Sequence, residues 1–397
     1  MSNLAIIEAA DAADPAELGF IPLSDPDITT VEIDAVDAIM RSPQLSSGAA
    51  VERFERAFAD YLGRAYAVAV PSGTIGLVLA LNVYGIGPGD EVIASPYSFR
   101  ETAHAISTSG ARPVFADIDY WAGTLVPAKV EARITAQTRA ILACNSNGHP
   151  AQWTELRAIA EARGLVLLED STEAIGSRYK GELVGSFGDI SVFDFAQPSA
   201  LTCGEGGMVV TDDVDIAMAL RRYRSHSLDE RASVSVTAAP SSQASMSNIA
   251  AALGLAQLQR LDEILEKRRL VEHLYYKYVK SFEGIKDPYV GPEVTEINWF
   301  LYLVHLGTRF SRSSRDAIVD DLKVEQIEGA AYCQPLHLQR YYLDLGYRRG
   351  DYLVTEKVAD RTVALPFHTH LTEDQISFIV ETMKEASINI GAGAAIY

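Results

Sequence analysis

Three acidic residues stand near the ends of apolar, strand-like segments. Asp170 closes the segment LVLLED, Glu173 follows it within three residues, and Asp194 comes directly after the β-forming run ISVF. An acid that follows four apolar residues is seldom a packing residue, because an unpaired buried charge is costly. We expect the three carboxylates to project toward one cavity, where they need a cation, a proton or a hydrogen-bond donor.

Two loops rich in small residues accompany these acids. The stretch 186–212 reads as a strand, a tight loop and a strand, and its GEGG at 204–207 gives a backbone that another group can approach closely. Ser72, Gly73 and Thr74 follow the strand-like AYAVAV and begin an apolar helix. Free N–H groups and the helix dipole make such a helix end an anion site, although Ser and Thr are equally common there as plain N-caps.

The elements around these residues alternate between strand and helix. Apolar strands at EVIAS, PVFADID, RAILAC and LVLLED are separated by amphipathic segments at 99–109, 127–135 and 153–163. This alternation predicts an α/β protein with a mainly parallel sheet that is covered on both faces and binds ligands at the carboxyl ends of its strands. Further helices are predicted at 51–62, where Gly63 follows as the C-cap, at 213–224, at 248–270, and from Thr372 onward.

The length of 397 residues and the composition predict one large α/β domain and a smaller second domain. Residues 1–20 form an Ala- and acid-rich lead, residues 21–255 the large α/β domain with the cavity, and residues 256–397 a connecting helix and a small C-terminal domain. The NWFLYLVHL segment is a strand of the small domain.

Composition excludes several classes of partner. The 53 acidic and 34 basic residues give a net charge of -19, which disfavours binding to nucleic acid or to an anionic membrane. No N-terminal signal peptide and no apolar run long enough for a membrane span are evident. The three cysteines are widely spaced without a CxxC, which favours a reducing cytoplasm. No metal site is expected, because His368 and His370 have no third ligand at a suitable spacing.

The motifs LLEDSTEAIGS and SVFDFAQPSALTCGEGG together resemble the DegT/DnrJ/StrS-type sugar and cyclitol aminotransferases, and the similarity continues from Ile21 nearly to the C-terminus. The resemblance implies the fold type I of pyridoxal-phosphate (PLP) enzymes, with a large domain built on a seven-stranded, mainly parallel sheet and a small C-terminal α+β domain. It also implies cofactor-binding and substrate positions. These are Ser72, Gly73 and Thr74 at the cofactor phosphate, Phe99 on the pyridine ring, Asp170 at the pyridinium nitrogen, Gln243 in a loop that reaches the partner subunit, and His337 near the substrate.

The sequence departs from the family pattern at the cofactor contacts. Ser199 stands where the family has the lysine of the internal Schiff base, Asp194 where a serine holds the phosphate, and Glu173 where a glutamine is usual. Gln243 and Ser245 replace the Asn and Arg that reach across the dimer. Without the amine no covalent cofactor is expected, so PLP or pyridoxamine phosphate (PMP) would bind non-covalently at most.

Three hypotheses follow. In the first, Asp170, Glu173 and Asp194 form a repurposed pocket for another small molecule, either in an enzyme or in a non-catalytic partner of an active homologue. In the second, the protein uses free PMP like the family's sugar 3-dehydratases, whose base at this place is His, whereas Ser199 is a poor base. In the third, mutagenesis removed the lysine of an ordinary aminotransferase.

Ser199 is the remaining catalytic candidate, but a serine nucleophile lacks support because no His is evident beside it. A homodimer is expected through the loop around Gln243 and the 248–270 helix, with a heterodimer as the alternative if the chain is a partner subunit.

Overall fold

The computed structural model of the protein describes residues 19–225, 241–280 and 285–390, so the predicted lead at 1–20 lies almost entirely outside the described residues. Within these ranges the strands are β1 (Tyr66–Val70), β2 (Glu91–Ala94), β3 (Arg112–Phe115), β4 (Thr138–Cys144), β5 (Val166–Asp170), β6 (Arg178–Tyr179), β7 (Glu182–Leu183), β8 (Ile190–Asp194), β9 (Gly207–Thr211), β10 (Ile285–Lys286), β11 (Val294–Glu296), β12 (Tyr302–Leu306), β13 (Ala330–Ala331) and β14 (Thr362–Leu365). The α-helices are α1 (Thr30–Met40), α2 (Ala49–Leu62), α3 (Gly73–Val83), α4 (Arg100–Thr108), α5 (Pro127–Glu131), α6 (Trp153–Arg163), α7 (Val214–Arg224), α8 (Asn248–Gln259), α9 (Leu261–Val279), α10 (Arg312–Val324), α11 (Arg340–Asp344), α12 (Leu353–Ala359) and α13 (Glu373–Asn389). A 3₁₀ turn at Leu336–Leu338 precedes α11.

The largest sheet has seven strands in the order β1-β9-β8-β5-β4-β2-β3, and β9 runs antiparallel to both of its neighbours while the others run parallel. Side chains alternate along each strand, so that Val68 and Val70 of β1 pack with α3, α4 and α7 on one face. Ala67 and Ala69 pack with α2 and α8 on the other face. Both faces are therefore covered, and the predicted mainly parallel seven-stranded sheet between helices is confirmed.

Parallel strands bring their carboxyl ends to one edge, which is what positions the candidate site. Asp170 ends β5 and lies opposite Val192 of β8, two residues before Asp194. Ser72 and Gly73 follow β1 at the same edge and begin α3. The acids and the small-residue turn meet for this reason.

The C-terminal part is built on a four-stranded antiparallel sheet in the order β10-β12-β14-β13. Its core contains side chains from α9, α10 and α13, and Ile21 joins this core and pairs with Ile327. A three-stranded sheet, β11-β6-β7, joins the C-terminal part to the large-sheet part, because β11 pairs with β6. The division into residues 21–255 and 256–397 stays a prediction.

The predicted helical segment at 248–270 is helical except at Arg260, where the chain is divided into α8 and α9. The Arg260 guanidinium binds Asp27 at 2.7 Å and Glu32 at 2.8 Å, and both acids come from the N-terminal segment. The interruption of the helix at Arg260 therefore coincides with ion pairs to residues that are distant in sequence. The preceding helix α8 packs on α1 and α2.

The local helix signals are present in the structure. Gly63 ends α2 with a left-handed φ of 68°, and Thr372 caps α13 with a reciprocal bond to Gln375. In the described ranges no helix is long and apolar enough to cross a membrane.

Candidate functional site

A cavity of about 510 Å³ opens at the carboxyl edge of the large sheet. Seven of the predicted site residues line it, namely Ser72, Gly73, Thr74, Phe99, Asp170, Glu173 and Asp194. The expectation that the three carboxylates share one cavity is therefore met. Ser199, Gln243 and His337 are not among the lining residues.

Asp194 binds the N-terminus of α3. Its Oδ2 accepts a hydrogen bond from the Gly73 N–H at 2.7 Å, and its Oδ1 accepts one from the Ala196 N–H at 2.8 Å. A side chain at position 73 would not fit, because a Cβ there would lie 2.8 Å from the Asp194 Cβ. The anion that this helix end holds is thus a carboxylate of the chain itself.

Asp170 is also held at both oxygens. Oδ2 accepts from the Thr102 hydroxyl at 2.8 Å, and Oδ1 accepts from the Thr172 N–H at 3.1 Å. Burial raises the pKa of Asp170, while these hydrogen bonds act in the opposite direction. The carboxyl is buried at the end of β5 and faces the cavity without a basic partner among its described contacts.

Within the part of the chain that the structure describes, Glu173 accepts hydrogen bonds at one oxygen only. Its Oε2 accepts hydrogen bonds from the Asn147 N–H at 2.5 Å and from the Tyr332 hydroxyl. Burial is the main cause that raises the pKa of Glu173 to about 7, and the nearby Asp170 contributes in the same direction. Near neutral pH this side chain exists in both the acid and the carboxylate form.

The predicted ring-stacking residue lies at the mouth of the cavity. Phe99 precedes α4, is 43% exposed and meets the edge of Phe300 at 5.8 Å between ring centroids. Phe300 comes from the segment before β12, so both parts of the chain contribute to the cavity wall. Open aromatic surface of this kind can cover the face of a planar or sugar ligand.

The charges lining the cavity are predominantly acidic. Arg100 is the one Lys or Arg among the lining residues in the described part of the chain, and its guanidinium binds Glu101 at 2.8 Å. Its side chain is mostly exposed. The hydrogen-bond partners of Asp170, Glu173 and Asp194 are neutral hydroxyl, thiol and N–H groups.

Ser199, the predicted catalytic candidate, is not among the residues that line the cavity. It is buried, its N–H donates to the Ala196 carbonyl, and its Oγ has no hydrogen-bond partner among the described residues. A hydroxyl in this position is not placed to act on a ligand in the cavity.

His337 is likewise buried away from the cavity. Its Nε2 lies 3.0 Å from a Glu356 carboxylate oxygen, and its ring meets the edge of Tyr352. Burial lowers the pKa of His337. These contacts are structural, and the neighbouring residues Leu336 and Gln339 are the ones that line the cavity.

Gln243 is exposed and has a left-handed φ of 52°. It follows residues 226–240, which lie outside the described residues, and its expected contact with a partner subunit stays a prediction. In the described ranges no group of three His, Cys, Asp or Glu side chains is arranged to hold a metal ion.

Sequence reasoning identified Gly73 but missed the other residues that hold the carboxylates, which are Thr102, Cys144, Asn147, Thr172, Ala196 and Tyr332. Asn147 carried a weak signal, because it lies in the turn-like NSNGHP; in the structure it has a φ of 48°. Tyr332 carried none, since it lies in a loop after the short strand β13.

The cofactor implied by the family resemblance does not fit the residues present. The phosphate position at α3 is taken by the Asp194 carboxylate, which is bound to the Gly73 N–H and would repel a dianion. At position 199 there is no amine. The residues expected to contact the ring, Asp170 and Phe99, line the cavity, as do Ser72, Gly73 and Thr74 at the phosphate position.

Comparison with known proteins finds relatives that are similar to this chain over most of its length. The sequence is 34% identical over 377 residues to the spore coat polysaccharide biosynthesis protein SpsC of Bacillus subtilis, covering 92% of this chain and 97% of that protein. It is 34% identical over 375 residues to the GDP-perosamine synthase of Caulobacter vibrioides, covering 94% of this chain and all of that protein.

Solved structures agree with these relatives. Spr1654 of Streptococcus pneumoniae in its PMP form superposes with a TM-score of 0.87 at 26% identity, covering 93% of this chain and 100% of that chain. DesV of S. venezuelae in complex with a ketimine intermediate superposes with a TM-score of 0.84 at 30% identity, covering 92% and 98%. The expected fold type I of PLP-dependent transferases is confirmed. Because the profile of the DegT/DnrJ/EryC1/StrS aminotransferase family also matches residues 26–384, this chain belongs to that family.

Proposed function

We propose that this family member does not transaminate through a lysine Schiff base, and that its cavity binds an amine-bearing small molecule of the sugar or cyclitol class in a biosynthetic pathway. The observation that carries the proposal is the contact of Asp194 with the Gly73 N–H at 2.7 Å. A phosphate bound at this helix end would need the Gly73 N–H as a donor, and it would then lie next to the Asp194 carboxylate. Two like unit charges about 4 Å apart repel by about 4 kcal/mol at an effective dielectric constant of 20.

The charge of the cavity supports an amine as the ligand's recognised group. Asp170, Glu173 and Asp194 line one space, and the only basic side chain among its described lining residues is paired with Glu101. A ligand ammonium supplies the counter-charge that these carboxylates lack. The named functions of the relatives, spore coat polysaccharide biosynthesis and GDP-perosamine synthesis, support a sugar-like ligand.

The proposal has an enzymatic and a non-enzymatic form. A repurposed enzyme would act on the bound amine with the carboxyl groups of the cavity. A non-catalytic subunit would bind the same molecule beside an active homologue in a heterodimer. Activity of the purified chain alone on an amino sugar distinguishes the two.

Use of free PMP is the second candidate, and the retained ring-side residues favour it. Asp170 lies at the end of β5 and Phe99 at the cavity mouth, as the family resemblance requires. The Asp194 contact opposes this candidate. Removal of a single lysine from an ordinary aminotransferase accounts for Ser199 but not for Asp194, Glu173 or Ser245.

The deciding experiment measures cofactor directly. We expect the purified protein to be colourless, borohydride reduction to fix no pyridoxyl group, and calorimetric titration with PMP to show no tight binding. Native mass spectrometry of the same sample should find an amine-bearing occupant or none. A reduced pyridoxyl-lysine peptide, or tight binding of PMP by the unaltered protein, would overturn the proposal.

We also propose that the chain forms a homodimer in the cytoplasm. Val31, Ile33 and Met40 of α1 are each at least 46% exposed in the single chain, and a partner would cover such apolar surface. The three cysteines are unpaired, which agrees with a reducing compartment.

A further inference from the structure

Glu173 differs from the other two cavity carboxylates in having an uncommitted oxygen. Both oxygens of Asp170 and both oxygens of Asp194 accept hydrogen bonds from the protein. Glu173 accepts through Oε2 alone, and its Oε1 has no partner within the described residues. The side chain is only 8% exposed and lines the cavity, so Oε1 is the carboxylate oxygen that a ligand can use.

The bound oxygen of Glu173 is held by rigid neighbours. The Asn147 side chain accepts from the Leu301 N–H at 2.9 Å, which fixes the turn that supplies the N–H donor. The Tyr332 carbonyl accepts from the Tyr97 hydroxyl at 3.0 Å, which fixes the second donor. Because two donors already point at Oε2, a proton on the neutral acid is directed to Oε1.

We propose that Glu173 is the acid–base group of this cavity, and that its Oε1 exchanges a proton with the ammonium or hydroxyl of the bound molecule while Tyr332 and the Asn147 N–H position Oε2. The inference rests on the proposed function, because it takes the ligand to be an amine-bearing polyol. One N–H or O–H bond of the ligand breaks and one O–H bond forms on Glu173, and the reverse step returns the proton. No electrons are transferred and no co-reactant is needed.

The groups that face Glu173 leave it free to titrate near neutrality. They are Asp170 on β5 and the side chains of Tyr97, Cys144, Tyr332 and Cys333. Burial raises the pKa of each of these tyrosines and cysteines, so they stay neutral while the carboxyl changes its charge. Burial also raises the pKa of Glu173 to about 7.

Carbodiimide labelling with a small amine nucleophile tests the inference without a known ligand, because carbodiimides react with the protonated carboxyl. Peptide mass spectrometry across a pH series should show half-maximal labelling of Glu173 near pH 7. At about pH 6.5 its rate should exceed that of an ordinary exposed glutamate on the order of a hundredfold. Glu173→Gln is the control and must remove the label.

Tyr332→Phe separates positioning from packing. Removing the hydroxyl takes away a donor that stabilises the carboxylate, so the labelling midpoint should move to higher pH in a protein that is still folded. A midpoint near that of free glutamate, or labelling of Asp194 in place of Glu173, overturns the inference. Protection of Glu173 by D-glucosamine but not by D-glucose supports proton exchange with an amine. Equal rates with both sugars contradict the amine ligand of the proposed function and leave the midpoint as the test of the acid–base group.

Discussion

Replacing Asp194 by serine removes the carboxylate from the N-terminus of α3 and restores the family's residue. The change deletes charged hydrogen bonds from the Gly73 and Ala196 N–H groups, which measure 2.7 and 2.8 Å. A hydrogen bond to a charged group contributes about 1.5–3 kcal/mol, and the serine hydroxyl can replace only one of the two. The variant should therefore lose about 2 kcal/mol of unfolding free energy when no anion is present.

The same change removes the repulsion that a phosphate meets at this helix end. A relief of about 4 kcal/mol, for unit charges 4 Å apart at an effective dielectric constant of 20, corresponds to a gain in affinity of about a thousandfold. We expect PMP to bind Asp194→Ser more tightly than the unaltered protein by up to that factor. Inorganic phosphate should restore the lost stability, because it can occupy the vacated Gly73 N–H.

Two measurements on three proteins test this reasoning. Calorimetric titration with PMP compares the unaltered protein, Asp194→Ser and Asp194→Asn, where Asn keeps the size of the side chain and removes only the charge. Urea unfolding is measured with phosphate and with chloride at equal ionic strength. Tight binding of PMP by the unaltered protein that neither substitution changes would refute the electrostatic account. So would an Asp194→Ser variant whose stability does not respond to phosphate.

The remaining predictions concern stability and assembly. Burial raises the pKa of Glu173 from 4.5 to about 7, so the folded state binds this proton more tightly than the unfolded chain does. The stabilisation that protonated Glu173 gives to the folded state is therefore complete below pH 4.5 and is lost as the pH rises through 7. Relative to Glu173→Gln, the unfolding free energy should fall by about 3 kcal/mol over that range in urea titrations. Arg268→Met should cost about 3 kcal/mol or more in urea unfolding, since three carbonyls and Asn298 would lose a buried donor. Sedimentation equilibrium should give a dimer.

Each of these predictions has a contradicting result. Parallel stability curves for the unaltered protein and Glu173→Gln would show that the carboxyl titrates as in the unfolded chain. Arg163→Met is the control for Arg268, because Arg163 pairs with Glu131 on the surface and its loss should change stability by at most about 1 kcal/mol. A monomer at every concentration would exclude the dimer.

The alternation of strands and helices made most of the large domain predictable. Asp170 and Asp194 could be assigned to one cavity because the carboxyl ends of parallel strands share an edge. The helix ends were also local signals, as Gly63 and Thr372 show.

What the sequence did not reveal depends on contacts between distant residues. Tyr332 lies 159 positions from Glu173, and Gly73 lies 121 positions from Asp194, so no local pattern links either pair. Whether a loop residue such as Ser199 faces the cavity depends on the path of the whole loop, which short-range preferences do not determine.

The contact between Tyr332 and Glu173 also couples two parts of the chain. Tyr332 follows β13 of the C-terminal sheet, whereas Glu173 follows β5 of the large sheet. A carboxylate accepts stronger hydrogen bonds than a neutral acid, so deprotonation of Glu173 tightens its contact with Tyr332. Such linkage is reciprocal. A ligand that shortens the contact between Tyr332 and Glu173 therefore favours loss of the proton from Glu173. One coupling free energy thus describes two effects: how the protonation of Glu173 changes the contact of the C-terminal part with the large sheet, and how that contact changes the protonation of Glu173.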